Sequence, residues 1–80
     1  MPNGNGGPFA RKALAHNLRV LRATRRLSQN VLAEEAGVTQ ALVSAIELGK
    51  ANPTLASLER IAQVLKVDMS ELFLDRELWT

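Results

Sequence analysis

The sequence predicts an all-α fold of five short helices around one core, and three observations carry that expectation. Apolar residues recur at helical spacing from Phe9 to Leu65. Residues able to cap a helix (Ser28, Thr39, Thr54 and Asp68) precede the later apolar segments. Alternation of period two never persists, so no strand is expected. Eighty residues make one small domain. With 46% hydrophobic and 22% charged residues, the balance is globular rather than disordered. A core of this size is marginal, so support from a dimer interface is expected.

Taken in order, residues 1–8 are rich in Gly and Pro and read as a flexible tail, leaving residues 9–80 as a single domain. Leu14, Leu18 and Leu21 fall on one stripe of a first helix whose pattern ends near Leu27. Ser28 caps a two-turn second helix over residues 29–36, with Leu32, Ala33 and Ala36 inward, and Gly37 stops it. Val38 is the only large apolar residue in the turn and should plug the junction. Thr39 caps a third helix over residues 40–48, with Val43 and Ile46 inward, and Gly49 ends it. Pro53 interrupts, and Thr54 caps a fourth helix bearing Leu55, Leu58, Ile61, Ala62 and Leu65. Asp68 and Glu71 have capping-box spacing and open a short last helix with Leu72 and Phe73.

Composition narrows the function. The chain has no Cys and one His, which excludes disulfides, thiolate metal sites and a His-rich cluster; no metal or cofactor is expected. No apolar run approaches the roughly 20 residues of a membrane span, and no signal-peptide pattern opens the chain, so a cytoplasmic protein without a membrane partner is expected. No nucleophile–base pair or phosphate-cradling Gly loop supports an enzyme, and no small-molecule ligand is expected. Charge is uneven. Residues 1–33 hold six basic side chains and no acid, whereas residues 34–80 hold four basic and eight acidic ones. Such asymmetry fits a polyanion partner, although basic residues on a solvated helix face would look the same.

The centre of the chain is the most informative part. Two short helices joined by a tight turn, with Gly at its start and an apolar plug behind it, have helix-turn-helix geometry, which presents the second helix to the DNA major groove. A groove about 12 Å wide admits one helix. The outer residues Thr39, Gln40, Ala41, Ser44 and Ala45 are small or hydrogen-bonding, as entry requires.

The run Leu27-Ser28-Gln29, Leu32-Ala33, Ala36-Gly37-Val38-Thr39, Val43-Ser44, Ile46-Glu47, Gly49 and Pro53 resembles the Cro and lambda-repressor type of DNA-binding domain, the XRE family. Leu58, Ile61-Ala62, Leu65, Val67 and Leu72-Phe73 continue the resemblance, which covers residues 14–73. It implies a five-helix lambda-repressor-like fold and a transcription regulator on double-stranded DNA. It also implies base contacts from Gln40, Ala41, Ser44 and Ala45, and backbone contacts from Ser28, Gln29, Thr39, Lys50 and Asn52. Gln29 would also brace Gln40, and Arg22 and Glu47 would form an interhelical ion pair. Two departures stand out. Ala41 and Ala45 replace longer polar residues, and Leu48 replaces a frequent polar one, so direct base readout is thin and room is left for shape readout.

Other candidates have plain structural explanations. Lys12, Arg25 and Arg26 fit solvation as well as phosphate contact, His16 reads as a surface residue, and Trp79 as packing or dimer contact. A homodimer on a palindromic site is expected, because one small module makes few base contacts. Its surface would be Leu65, Val67, Met69, Leu72, Phe73, Leu74, Leu78 and Trp79, more apolar area than the core needs. The family's small members include restriction-modification controller proteins, phage-type repressors and antitoxin partners. The alternative is an antitoxin or adaptor module whose helical C-terminal surface binds another protein.

Overall fold

The computed structural model describes residues 7–75, with side chains from Phe9 onward. It contains four α-helices, α1 (Gly7–Thr24), α2 (Gln29–Ala36), α3 (Gln40–Glu47) and α4 (Leu55–Leu65), followed by a 3-10 helix, Met69–Phe73. The described residues contain no strand. The all-α class therefore stands, but the fifth element is a 3-10 helix rather than an α-helix. It is only five residues long, and extended backbone at Leu74 ends it.

The caps explain the boundaries. Ser28, Thr39 and Thr54 each have extended backbone, and each hydroxyl accepts the N–H three residues on, from Val31, Leu42 and Ser57. Each such cap contributes about 1 kcal/mol. Gly37, at φ 72°, ends α2 with Val38 N–H donating to the Ala33 carbonyl, a closure that needs the left-handed region glycine supplies. Asp68 caps the 3-10 helix, but its carboxylate accepts from the N–H and hydroxyl of Ser70 instead of sharing a reciprocal box with Glu71. Those two bonds hold the Asp68 carboxyl below its ordinary pKa.

Two boundaries differ from expectation. Gly7 and Pro8, assigned by composition to the tail, open α1; a first-turn proline loses no helical bond, since its N–H would have had no partner there. The helix then ends at Thr24, earlier than Leu27, because Arg26 turns left-handed at φ 58° and the Leu27 N–H folds back onto the Arg22 carbonyl.

The core is formed by Leu14, Leu18 and Leu21 of α1, Leu32, Ala33 and Ala36 of α2, Val43 and Ile46 of α3, Leu58, Ile61, Ala62 and Leu65 of α4, and Leu72. Val38 packs against it from the turn, as its position suggested. Leu55, placed inward by the stripe of α4, is instead 63% exposed. It is the first residue of the helix and lies beyond the packed turns. No helix among the described residues is long and apolar enough to cross a membrane.

Candidate nucleic-acid interface

The starts of α2 and α3 come together through a chain of side-chain bonds that begins on α1. The Arg22 guanidinium meets the Glu47 carboxylate in two bonds, Nε to Oε2 at 2.6 Å and Nη2 to Oε1 at 3.1 Å. Its Nη1 also donates to the Leu27 carbonyl at 2.8 Å, fixing the α1–α2 turn. The Gln29 amide donates to Glu47 Oε1 at 3.0 Å, and the Gln40 amide donates to Gln29 Oε1 at 2.9 Å. An ionised carboxylate only accepts, so Gln29 must turn its NH2 toward Glu47 and its oxygen toward Gln40. The orientation of Gln40 is thereby set from the protein interior outward.

Glu47 anchors this chain because α3 places it on the inward face, one residue after Ile46; it is 4% exposed. Burial pushes its carboxyl pKa up. The bonds from Arg22 and Gln29, with the charges of Arg22 and Arg19, outweigh that and hold it below the ordinary Glu value. The bond to Glu47 raises the Arg22 pKa against the opposing effect of burial. Arg19, which sequence reasoning did not single out, donates to the Glu47 backbone carbonyl at 2.6 Å. A cation thus closes the negative end of α3.

Gln40, Ala41, Ser28 and Thr39 are exposed, while Gln29, Ser44 and Ala45 are half-buried. The Ser28 and Thr39 hydroxyls accept from the backbone and keep their own O–H available as donors. Each also heads a helix whose first-turn N–H groups face an anion readily. Lys50 and Asn52 are exposed in the segment between α3 and α4. Lys12, Arg26 and His16 are exposed, and Arg25 is half-buried.

The expected dimer surface needs correction. Leu65 and Leu72 are fully buried inside the protomer, because each faces the core and so cannot meet a partner. Val67 and Met69 are half-buried against that core, and Phe73 and Leu74 are 38% and 40% exposed. Leu78 and Trp79 lie outside the described residues. Sequence reasoning missed Asn17, a fully buried polar residue whose amide donates to the Leu72 and Leu74 carbonyls at 3.0 and 2.7 Å. The signal was available, since position 17 lies three residues after Leu14 and four before Leu21, on the apolar stripe. Among the described residues no group of His, Asp and Glu is placed to hold a metal ion.

Comparison with known proteins places this geometry. A helix-turn-helix family model matches residues 18–72. A hypothetical transcription factor of Neisseria meningitidis is 36% identical over 64 residues, 80% of this chain and 60% of that protein, so the chain spans well under the relative's full length. The crystal structure of a hypothetical transcription factor from Neisseria is similar with a TM-score of 0.81 at 34% identity, covering 88% of this chain and 82% of that one. The restriction-modification controller protein C.AhdI from Aeromonas hydrophila is similar with a TM-score of 0.76 at 32% identity, covering 79% of this chain and 96% of that one.

Proposed function

The chain belongs to the helix-turn-helix family, and on that premise we propose that it is a DNA-binding transcriptional regulator, with no catalytic role, that acts as a homodimer on a palindromic site. The observation that carries this reading is the bonded chain Arg22–Glu47–Gln29–Gln40, which holds an exposed amide at the first residue of α3. With one N–H given to Gln29, Gln40 keeps an N–H and its oxygen, the pair an adenine edge accepts in the major groove. The hydroxyls of Ser28 and Thr39 and the helix starts behind them suit phosphates on either side, with Lys50 and Asn52 meeting the backbone beyond. Ala41 and Ala45 add apolar contact only and Ser44 one hydroxyl, so the remaining specificity comes from duplex shape.

Residues 9–80 act as one unit in this reading. Two copies meet through the half-buried Val67 and Met69 and the exposed Phe73 and Leu74, which sets two α3 helices about 34 Å apart for half-sites one turn apart. A DNA partner implies a cytoplasmic location. The likeness to C.AhdI favours a controller-type role, in which dimerisation makes occupancy depend on protein concentration.

Selection from a randomised duplex pool at near-physiological salt tests the reading. Enrichment of a palindrome supports it. Salt-sensitive binding with no enriched sequence would contradict it and favour an antitoxin or adaptor that takes its specificity from another protein.

A further inference from the structure

We infer that Asn17 is a positioning residue: by clamping the C-terminal face to α1, it fixes the half-site separation that the dimer accepts. This rests on the dimeric reading above. Asn17 is completely buried, and its one NH2 group donates to two carbonyls, Leu72 at 3.0 Å and Leu74 at 2.7 Å. Those carbonyls bracket Phe73, and with Leu74 it forms the exposed apolar pair of the proposed interface. Two directional bonds from a planar amide leave the bracketed residue little freedom to slide. A leucine at position 17 would fill a comparable volume but leave both carbonyls without this donor, so it lowers stability as well as releasing the segment. What the amide adds is geometry.

The same helix holds the recognition element. Arg19 and Arg22 fasten α3 through Glu47, and Arg22 lies five residues from Asn17, about 7.5 Å along the axis. The interface and α3 are therefore referenced to one rigid rod. Any slip of the C-terminal face along α1 moves each α3 relative to the twofold axis, and the two protomers add. Each base step adds about 3.4 Å of rise and about 35° of rotation, so a loosened segment must give about 1.7 Å and about 17° in each protomer to follow one base pair.

The test uses the full chain and duplexes carrying the wild-type selected half-site twice, with the separation stepped by one base pair. The wild type is expected to lose about tenfold in affinity at one step from its optimum, a loss typical of one wrong base pair. Asn17→Leu is expected to flatten that profile to less than about threefold while keeping its helical content and its affinity for an isolated half-site. Asn17→Ser, which retains one short donor, should fall between the two. An Asn17→Leu profile as sharp as the wild type's would overturn the inference. So would loss of folding in both variants, since Asn17 would then be required by the core and not by the spacing. A wild type with no preferred separation would instead overturn the dimeric reading beneath it.

Discussion

Arg22 and Asn17 stand on neighbouring turns of α1 and hold two different parts of the protein by opposite kinds of bond. Arg22 grips α3 through an ion pair, 2.6 Å from Glu47, that continues into two glutamine amides. Asn17 grips the C-terminal segment with a neutral amide and two backbone carbonyls. The charged clamp sits at the last residue of α3, where Glu47 is buried but Arg22 is still 21% exposed at its side chain and can be partly hydrated. The Asn17 amide is itself fully buried, although its bond to the Leu74 carbonyl is part-buried, and an unpaired charge at that position would cost far more than an amide. Where water reaches the donor, the fold uses charge to aim a side chain outward; where it does not, the fold uses a neutral donor to fix backbone.

Breaking the charged clamp should have the largest effect. Glu47→Ala leaves Arg22 and Gln29 without their acceptor and is expected to destabilise by about 2–4 kcal/mol near neutral pH, read by denaturant unfolding. The pH dependence follows from the lowered Glu47 pKa. A carboxyl held below its unfolded value stabilises fully above the ordinary Glu range and loses that contribution as pH falls through the lowered pKa. The gap between wild type and Glu47→Ala should therefore be constant above about pH 5 and narrow below about pH 4.

Asn17→Ala should cost about 1–3 kcal/mol by leaving two carbonyls unpaired. That loss should stay level over the same acid range, since an amide and carbonyls carry no titrating charge. A loss that tracked pH as the Glu47 variant does would erase the distinction between the two clamps. The smallest effect belongs to a site outside both. Lys66 takes φ 60° at the end of α4, a conformation that suits glycine better than a residue with a Cβ. Lys66→Gly should raise stability by no more than about 1 kcal/mol in thermal melts, because glycine's greater unfolded-state entropy offsets part of the relief.

The helices were legible in the sequence where a local signal marks their ends. Ser28, Thr39 and Thr54 announce three starts and Gly37 one stop, each by a bond made within four residues of the cap. The end of α1 was not legible, because Arg26 carries no sign that it turns left-handed. Apolar count misled at the C-terminal face. Leu65 continues the stripe of Leu58, Ile61 and Ala62, and Leu72 follows it into the core, so surface remained only at their neighbours. The resemblance named Arg22 with Glu47 and Gln29 with Gln40, but not the joining of the two pairs at Glu47 Oε1, which depends on α2 and α3 meeting in space. Asn17 was the converse case: its place on the stripe was visible, yet its partners lie more than 50 residues away in the chain.

Parallel randomised-pool selections with the wild type and Gln40→Ala test most directly whether Gln40 is aimed at a base. The expected result is loss of preference at one position, repeated symmetrically in both halves of the palindrome and worth about 1–3 kcal/mol, with the other positions kept. Uniform weakening across all sequences would make Gln40 a phosphate contact and contradict the claim that the chain from Arg22 orients it to read sequence.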